Sequence, residues 1–328
     1  MIKFGTIGTS TITKEFITSA KTNENLKIVC CYSRDKQKAR DLINEFSLYA
    51  KAVDNFAVLV DEVDAVYIAS PNGLHYEQAK YFLLQQKHVL LEKPLTLDYQ
   101  QACELFEIAV KNNVILMEAY KTIHTPGFAK LFDSTSYLEP FLANFNLNQY
   151  SSRMNDVKQG IFNSVFDQNL GKGSTYDLLI YPVELAIALF GPIKEVKAMG
   201  LKLPNGSGLN DVVLIKHEND VIVNITCSKA SSGKINNEIL SDKATIVFDH
   251  CTSIGNIDIY KIEEQSEKYS AFKKEEQSEN LFDYEISVFV KMVLNSDYDL
   301  RDYLLDISCE AIKVLNLVEK DQQVIGES

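Results

Sequence analysis

The sequence predicts an α/β protein in which a doubly wound parallel sheet is followed by a second, α+β domain. Strand-like and helical segments alternate from residue 2 to about residue 118, which is typical of a parallel sheet with crossover helices. Beyond Tyr120 this alternation lapses and segments of alternating polarity follow, which is typical of antiparallel strands. A chain of 328 residues, 46% of them hydrophobic, has the length of about two domains. We therefore expect a first domain over residues 1–120 and a second over residues 121–328.

The first domain is predicted to contain five strands and four helices. The strands cover residues 2–7, 26–32, 66–69, 88–91 and 114–118, and the helices cover residues 12–20, 35–46, 74–86 and 98–112. The strands are short apolar runs, and the helices repeat their apolar residues at spacings of three and four. In a sheet of this kind ligands bind beyond the carboxyl ends of the strands. The residues that directly follow each strand are therefore the candidate site residues.

Composition and charge narrow the classes of partner. A net charge of −12 argues against non-specific nucleic-acid binding, which requires a basic surface. The longest apolar stretch, residues 178–190, is interrupted by Pro182 and Glu184 and is shorter than the roughly 20 residues of a membrane-spanning helix. The N-terminus enters a strand pattern without the features of a signal peptide. We expect a cytoplasmic protein with a small-molecule partner and with no membrane or nucleic-acid partner.

The cysteines give no sign of a metal centre. The six cysteines form no Cys-x-x-Cys pair and no Cys/His spacing of the kind that binds metals. We expect reduced, mostly buried thiols, with no metal ligands and no disulfide framework.

The turn after the first strand is a candidate dinucleotide-binding turn. Its candidate residues are Gly8, Thr9, Ser10, Thr11 and Ile12. The dinucleotide fingerprint requires glycine at the positions of Gly8, Ser10 and Thr13, so only the first requirement is met. Ser10 would have to bind the pyrophosphate through its hydroxyl or its backbone amide. A helix N-terminus favours anions at this point. The alternative is an ordinary strand-to-helix turn capped by Ser or Thr.

The residues after the second strand favour NADP over NAD. An Asp or Glu at this point would bind the ribose 2′-hydroxyl of NAD, whereas an Arg suits a 2′-phosphate. The chain has Ser33 and Arg34 here, and Lys38 lies one helical turn further on. The guanidinium offers a planar fork for phosphate. NAD stays possible, because the alternative is a solvated arginine at a helix start.

Two further segments follow strands. In the first, Ser70 and Asn72 are expected beside the cofactor and His75 opens the next helix, although Asn72 also fits a turn former and His75 a capping residue. In the second, the apolar run of residues 88–91 leads into Glu92 and Lys93, and the proline after them cannot continue a β-ladder. A lysine is thus presented at a strand end, and Glu92 is a candidate cofactor-side or supporting group. The alternative is a surface ion pair between Glu92 and Lys93.

A helix predicted from Ser174 onwards carries two polar residues at a spacing of four. Asp177 and Tyr181 are expected on one face, one above the other. The glycines at positions 171 and 173 permit close backbone approach nearby. The alternative is that Asp177 is an early-helix carboxylate and Tyr181 a core aromatic with a satisfied hydroxyl.

Taken together, five segments resemble one family. GTIGTSTI, YSRD, IASPNGLH, LLEKPL and LGKGSTYDLLIYP resemble the glucose-fructose oxidoreductase, inositol dehydrogenase and MocA (Gfo/Idh/MocA) family, most closely its dihydrodiol dehydrogenase-like branch. The resemblance implies an N-terminal Rossmann domain and a C-terminal domain with a large, mostly antiparallel sheet that often mediates dimerisation. It also implies that Lys93 lies beside the nicotinamide and Lys121 near the nicotinamide ribose. We therefore expect a homodimer or a higher homo-oligomer.

The resemblance also implies a reaction. Hydride would move between NADP(H) and a hydroxyl or carbonyl carbon of a sugar, polyol, diol or related compound, while Tyr181 or Lys93 handles the proton. Many relatives have His at the position of Tyr181, and this branch has Tyr. Asp177 would position Lys93 or substrate hydroxyls. The predicted site is a cleft between Lys93 and Tyr181, with residues 150–153 and 163–167 as candidate lining.

The alternative is a non-catalytic dinucleotide-binding regulator, because the family includes a repressor with this fold. The presence of both Lys93 and Tyr181 favours the enzyme, since a sensor requires no proton transfer. Residues 201–208 and 263–279 are predicted to be polar loops.

Overall fold

The computed structural model describes residues 1–262 and 268–325, and the chain divides into two compact units. The first unit comprises Met1–Lys121 and Glu279–Cys309, and the second comprises Thr122–Ser278 and Glu310–Ser328. The first break lies one residue from the expected boundary at residue 120. Residues 279–309, which the sequence-based division assigns to the second domain, belong to the first unit. The reason is packing, since the rings of Phe289 and Phe4 lie 5.5 Å apart in an edge-on contact.

The described residues contain fifteen strands and ten α-helices. The strands are β1 (Ile2–Ile7), β2 (Leu26–Tyr32), β3 (Lys51–Val53), β4 (Ala65–Ile68), β5 (His88–Glu92), β6 (Leu116–Ala119), β7 (Leu142–Asn148), β8 (Ile193–Lys202), β9 (Gly208–His217), β10 (Ile222–Ser228), β11 (Asn237–Leu240), β12 (Ala244–Phe248), β13 (Ile257–Lys261), β14 (Lys268–Phe272) and β15 (Gln322–Val324). The α-helices are α1 (Thr11–Ala20), α2 (Lys36–Glu45), α3 (Phe56–Glu62), α4 (His75–Leu84), α5 (Tyr99–Asn112), α6 (Pro126–Leu138), α7 (Met154–Lys158), α8 (Ile180–Phe190), α9 (Phe282–Asn295) and α10 (Tyr298–Asp321).

The first unit is built on a six-stranded parallel sheet with the strand order β3-β2-β1-β4-β5-β6. This is the doubly wound order of a Rossmann fold, and the predicted fold class is confirmed. The central strand β4 is buried at every position, as expected for a parallel sheet covered on both faces. Strands β1 and β2 have the predicted bounds. The short edge strand β3 and helix α3 are absent from the sequence prediction, because three residues are too few to show a period.

The second unit is built on a nine-stranded sheet with the order β14-β13-β12-β11-β7-β10-β9-β8-β15. Its pairs are antiparallel except for β7 with β10 and β8 with β15. One face is apolar and carries Ala143 and Phe145 of β7. Helix α8 covers this face, with the Phe190 ring stacked 6.3 Å from the Phe145 ring. The predicted mostly antiparallel sheet is therefore confirmed.

Two predicted loops differ in outcome. Residues 203–207 form the connection between β8 and β9, which agrees with a loop near residues 201–208. The loop predicted over residues 263–279 is wrong in part, because residues 268–272 form β14 through pairing with β13. Residues 263–267 of that prediction lie outside the described residues.

None of the described helices has both the length and the apolar character that a membrane-spanning helix needs. The six cysteines are unpaired thiols, five of them buried and Cys103 partly exposed.

Candidate active site

The turn after β1 is shaped by Gly8. Its φ is +109°, and a Cβ at this position would lie 2.6 Å from the carbonyl oxygen of Ala69. Only glycine fits such a backbone without strain. Helix α1 begins directly after this turn, with Ser10 as its N-cap and without a side-chain hydrogen bond to the first-turn amides. Helix N-termini of this kind attract phosphate groups through their amides and dipole.

A cavity of about 390 Å³ lies beyond the ends of β1, β2 and β4. It brings together seven of the predicted cofactor residues from three post-strand segments: Gly8, Thr9, Ser10, Ser33, Arg34, Lys38 and Ser70. The location agrees with the general rule that ligands of doubly wound sheets bind at the carboxyl edge.

The end of the cavity next to β2 is cationic. Arg34 and Lys38 are exposed, and neither makes an ion pair with another described residue. Asp35 is the single acidic residue of the described lining, and its carboxylate caps α2 by accepting from the Gln37 amide at 3.0 Å. This arrangement suits a phosphate better than a ribose diol.

Seven predicted cofactor residues lie outside the described lining of this cavity: Thr11, Ile12, Asn72, His75, Glu92, Lys93 and Lys121. The His75 ring is fully buried, and its Nδ1 and Nε2 lie 2.8 Å from the Pro94 carbonyl and 2.9 Å from the Ser70 carbonyl. Burial lowers the pKa of His75, against the effect of these carbonyl contacts. His75 therefore joins the loops that follow β4 and β5, and its contact with the cofactor stays a prediction.

The turn that presents Lys93 is held by two buried carboxyl groups. Glu92 ends β5 and accepts a 2.6 Å hydrogen bond from the Tyr67 hydroxyl, and burial raises the pKa of Glu92. A carboxylate oxygen of Glu118 accepts from the Leu95 amide at 2.6 Å. Lys93 itself is half-buried. Glu92 is therefore a buried group that joins β5 to β4, whereas the alternative from the sequence places it in a surface ion pair; its role toward the cofactor stays a prediction.

The side chain of Lys121, the last residue of the segment Met1–Lys121 of the first unit, also has a contact that fixes its direction. Its Nζ lies 5.2 Å from the centroid of the Phe282 ring, which is within the range of a cation–π interaction.

In the second unit, Asp177 and Tyr181 are the partly exposed residues of an otherwise buried helical segment. The other residues between Thr175 and Phe190 are buried. The segment begins with a π-helical turn over Thr175–Leu179 and continues as α8. Pro182 lacks the amide that would bond back to the preceding turn, and its ring crowds that turn. The helix therefore widens there, as π-turns often do at functional sites.

The start of this segment is anchored at buried positions. Gly173 has φ +78°, and a Cβ there would lie 2.0 Å from the Gly208 carbonyl oxygen. The buried Asp211 carboxylate accepts from the Ser174 hydroxyl at 2.9 Å and from the Gln322 side-chain amide at 2.6 Å. These contacts fix the position of the backbone at the start of the helical segment that carries Asp177.

Asp177 has a buried partner, Lys229, whose ammonium donates to Oδ2 of the carboxylate. The lysine side chain is 8% exposed and that of Asp177 is 34% exposed. Lys229 lies directly after β10, and the sequence analysis does not identify it.

A second cavity, of about 580 Å³, is rich in amide side chains. Its lining includes Asn146, Asn148, Gln149, Asn236, Lys234 and His250. The backbone amide of Gln149 donates to the Ser228 carbonyl at 2.9 Å. Asn146 and Asn148 alternate with Phe145 along β7, so their side chains lie on the sheet face opposite α8. Neither of the two segments predicted to line a substrate cavity, residues 150–153 and 163–167, is part of the described lining.

Comparisons with known proteins identify the family to which this architecture belongs. The family model "Oxidoreductase family, NAD-binding Rossmann fold" matches residues 2–120, and the model "GFO/IDH/MocA C-terminal domain" matches residues 143–247. The scyllo-inositol 2-dehydrogenase (NADP(+)) IolU of Bacillus subtilis is 31% identical over 333 residues, which cover 99% of this chain and 98% of that protein. The chain belongs to the Gfo/Idh/MocA oxidoreductase family. The expected family is thus confirmed, while the branch within it stays a prediction.

Further relatives agree with this membership. The uncharacterized oxidoreductase YgjR of Escherichia coli is 33% identical over 251 residues, which cover 76% of each chain. Among solved structures, a 3-ketoreductase from Actinomadura kijaniata in complex with NADP and TDP-benzene has a TM-score of 0.86 at 20% identity, covering 99% of this chain and 98% of that one. At this identity the likeness shows the fold. As a Gfo/Idh/MocA member, the protein is an NAD(P)-dependent oxidoreductase, and its relatives named above are all named as oxidoreductases.

Two features of this Gfo/Idh/MocA member are absent from the sequence analysis. Lys229 follows β10, but the rule used for the first domain does not apply there, because it requires parallel strands that end at one edge of the sheet. The amide-rich cavity also has no signal in the sequence, because its residues come from the end of β7 and from two loops that meet only in the folded sheet.

Proposed function

We propose that the protein transfers hydride between NADP(H) and a hydroxyl or carbonyl carbon of an uncharged polyol or sugar. The observation that carries this proposal is the pair Asp177 and Tyr181, which are partly exposed on a helical segment whose other residues are buried. Partly exposed ionisable side chains on an otherwise buried helical segment are candidates for a functional site.

The cofactor proposal rests on the cavity of the first unit. Gly8, Thr9 and Ser10 would hold the pyrophosphate at the N-terminus of α1. Arg34 and Lys38 would bind the 2′-phosphate, which favours NADP over NAD. The name of the Bacillus relative, an NADP(+) enzyme, supports the same preference. When bound, the cofactor supplies or accepts the hydride.

The chain's own residues would handle the proton. We propose that the Tyr181 hydroxyl gives a proton to the substrate oxygen in reduction and receives it in oxidation. The Lys93 ammonium would stabilise negative charge as it develops on that oxygen. A free phenol is a weak base at neutral pH, so a nearby cation would help by stabilising its anion. Asp177 would accept a hydrogen bond from a neighbouring substrate hydroxyl.

The substrate proposal rests on the Bacillus relative, whose match covers nearly the whole of both chains, and not on a cavity. The inositol named for the Bacillus relative is an uncharged, hydroxyl-rich ring. The amide-rich cavity has no part in this proposal, because Asn146 and Asn148 alternate with Phe145 along β7 and therefore lie on the sheet face opposite α8, the helix that carries Tyr181.

We also propose a homodimer formed through the outer face of the nine-stranded sheet. Met199, Val212, Leu214 and Ile222 are 75%, 48%, 46% and 41% exposed. They lie on the adjacent strands β8, β9 and β10, and Met199 pairs directly with Val212. A contiguous apolar patch of this kind marks an interaction surface. The six unpaired thiols favour a reducing compartment, so we propose a cytoplasmic location.

A cofactor and substrate screen tests the proposed function. Purified protein is mixed with NADP⁺ or NAD⁺ and with inositol stereoisomers, other polyols, aldoses or TDP-sugars, and the nicotinamide absorbance is followed. We expect turnover with an uncharged polyol or sugar and a preference for NADP⁺. Turnover restricted to nucleotide sugars, or no turnover with any compound, would contradict the proposal.

A further inference from the structure

We infer that Lys229 is a positioning residue for the reaction: its ammonium fixes and neutralises the Asp177 carboxylate beside the proton-transferring Tyr181. This inference rests on the proposed function. The contact itself, from the Lys229 ammonium to Oδ2 of Asp177, is part of the structure.

The main chain of Lys229 is fixed on both sides. Its amide donates to the Leu209 carbonyl at 3.0 Å, and its carbonyl accepts from the Ser151 amide at 2.9 Å. Side chains alternate along a strand, so Lys229 continues the row of Val223, Ile225 and Cys227, which are buried. The side chain therefore emerges on the apolar face of the sheet, which helix α8 covers.

The two partners of the ion pair differ in their exposure to solvent. Lys229 is almost fully desolvated, whereas a third of the Asp177 side chain stays exposed. A buried ammonium requires a counter-charge, and Asp177 provides it. The neighbouring carboxylate of Asp211 is already bonded to Ser174, Thr175 and Gln322, so the partner of Lys229 is Asp177.

The position of the pair gives it a chemical role. Asp177 precedes Tyr181 by four residues, and an uncompensated carboxylate there would oppose the formation of a tyrosine anion. The Lys229 ammonium cancels most of this charge. It also keeps one carboxylate oxygen in a fixed direction, so that Asp177 has a defined orientation toward a substrate hydroxyl. Neither effect requires Lys229 to touch substrate or cofactor.

Steady-state kinetics of Lys229→Met and Lys229→Arg test the inference, with Lys243→Met as the control. Lys243 pairs with Glu139 at 3.0 Å on the exposed surface of the same unit. We expect K229M to lower kcat roughly 10- to 100-fold, the range for a misplaced catalytic group, while the KM for NADP⁺ stays within about twofold. K229R retains a cation and should recover part of kcat, and K243M should match the wild type.

A double variant separates positioning from a general loss of structure. If Lys229 acts through Asp177, the costs of K229M and Asp177→Asn in kcat are not additive, because each removes the same pair. Additive costs would overturn the inference, as would a wild-type kcat in K229M or a K229R kcat no higher than that of K229M. If K229M does not fold, K229R takes its place. The costs of K229R and D177N in kcat are then compared with the cost of K229R/D177N, and additive costs would again overturn the inference. A wild-type protein inactive on every polyol and sugar would instead refute the proposed function on which the inference rests.

Discussion

The hydroxyl of Tyr67 donates a 2.6 Å hydrogen bond to the carboxyl group of Glu92, and both side chains are buried. Glu92 is the last residue of β5 and directly precedes Lys93. The bond joins two neighbouring strands of the parallel sheet at the edge where the cofactor cavity lies. It therefore holds in place the turn that presents the lysine.

We expect Tyr67→Phe to destabilise the protein by about 1–3 kcal/mol, because a buried carboxyl group loses its hydrogen-bond donor. The loss should depend on pH. Burial raises the pKa of Glu92 in the folded state, so the stability that this group contributes falls as pH rises from its unfolded to its folded pKa. Without the Tyr67 donor the ionised form is less favourable still, and the loss should be larger at neutral than at mildly acidic pH.

Urea unfolding at several pH values measures this difference. Tyr76→Phe is the matched control, since the Tyr76 hydroxyl donates to Glu104, a carboxylate at the protein surface. The expectation would be contradicted if Y67F lost no more unfolding free energy than Y76F, or if its loss became smaller toward neutral pH. Either result would show that the Tyr67 hydroxyl does not stabilise the Glu92 carboxyl group.

Arg34→Ala should weaken NADP⁺ use by roughly 10- to 100-fold, the value of a charge-assisted hydrogen bond, and leave NAD⁺ use almost unchanged. The reason is that Arg34 lines the cavity at the end of β2 and would meet the 2′-phosphate that only NADP carries. The ratio of kcat/KM for the two cofactors measures the effect. Lys36→Ala is the control, because Lys36 pairs with Asp54 at 3.4 Å and lies outside the described lining. Equal losses for NADP⁺ and NAD⁺ would refute the 2′-phosphate assignment.

The proposed dimer predicts a change in mass. Replacing Val212 and Leu214 by lysine places two charges in the apolar patch of the outer sheet face, and the dimer should dissociate into folded monomers. Light scattering coupled to size-exclusion chromatography gives the mass directly. Tyr49→Lys is the control, since Tyr49 is 93% exposed on the first unit. A monomeric wild type, or a double variant that stays dimeric, would exclude this interface.

The sequence predicts Arg34 and Lys93 as candidate site residues because all parallel strands of the first unit end at one edge, so that local order determines spatial proximity. His75 shows the limit of that reasoning. Its post-strand position suggests ligand contact, but the Pro94 carbonyl, nineteen residues away, binds its ring in the interior.

The second unit is less predictable from sequence for a physical reason. In an antiparallel sheet the strand ends lie at both edges, so a post-strand residue such as Lys229 is not assigned to either side by its position alone. The spacing of Asp177 and Tyr181 predicts a shared helix face, and both are partly exposed in an otherwise buried helical segment. The π-helical turn before Pro182 is not predicted from the sequence, in which the proline alone indicates an irregular helix at this point.

Lys93→Met should abolish turnover and leave the affinity for NADPH within a few fold, because the ammonium is needed when charge develops on the substrate oxygen and not for holding the cofactor. Fluorescence titration with NADPH and steady-state rates separate the two effects. Lys87→Met is the control from the same unit, since the Lys87 ammonium donates to the Val63 carbonyl at 2.8 Å. A K93M variant with wild-type turnover would remove Lys93 from the mechanism.

The most direct test of the account is kcat for Tyr181→Phe on the substrate that the screen identifies, with Tyr137→Phe as the matched tyrosine control. Tyr137 is 81% exposed in the same unit, and its loss should leave kcat unchanged. If Tyr181 exchanges the proton, Y181F should lower kcat by roughly 10²- to 10⁴-fold with NADPH affinity within a few fold of the wild type. A Y181F variant that retains the wild-type kcat would contradict the proposed mechanism.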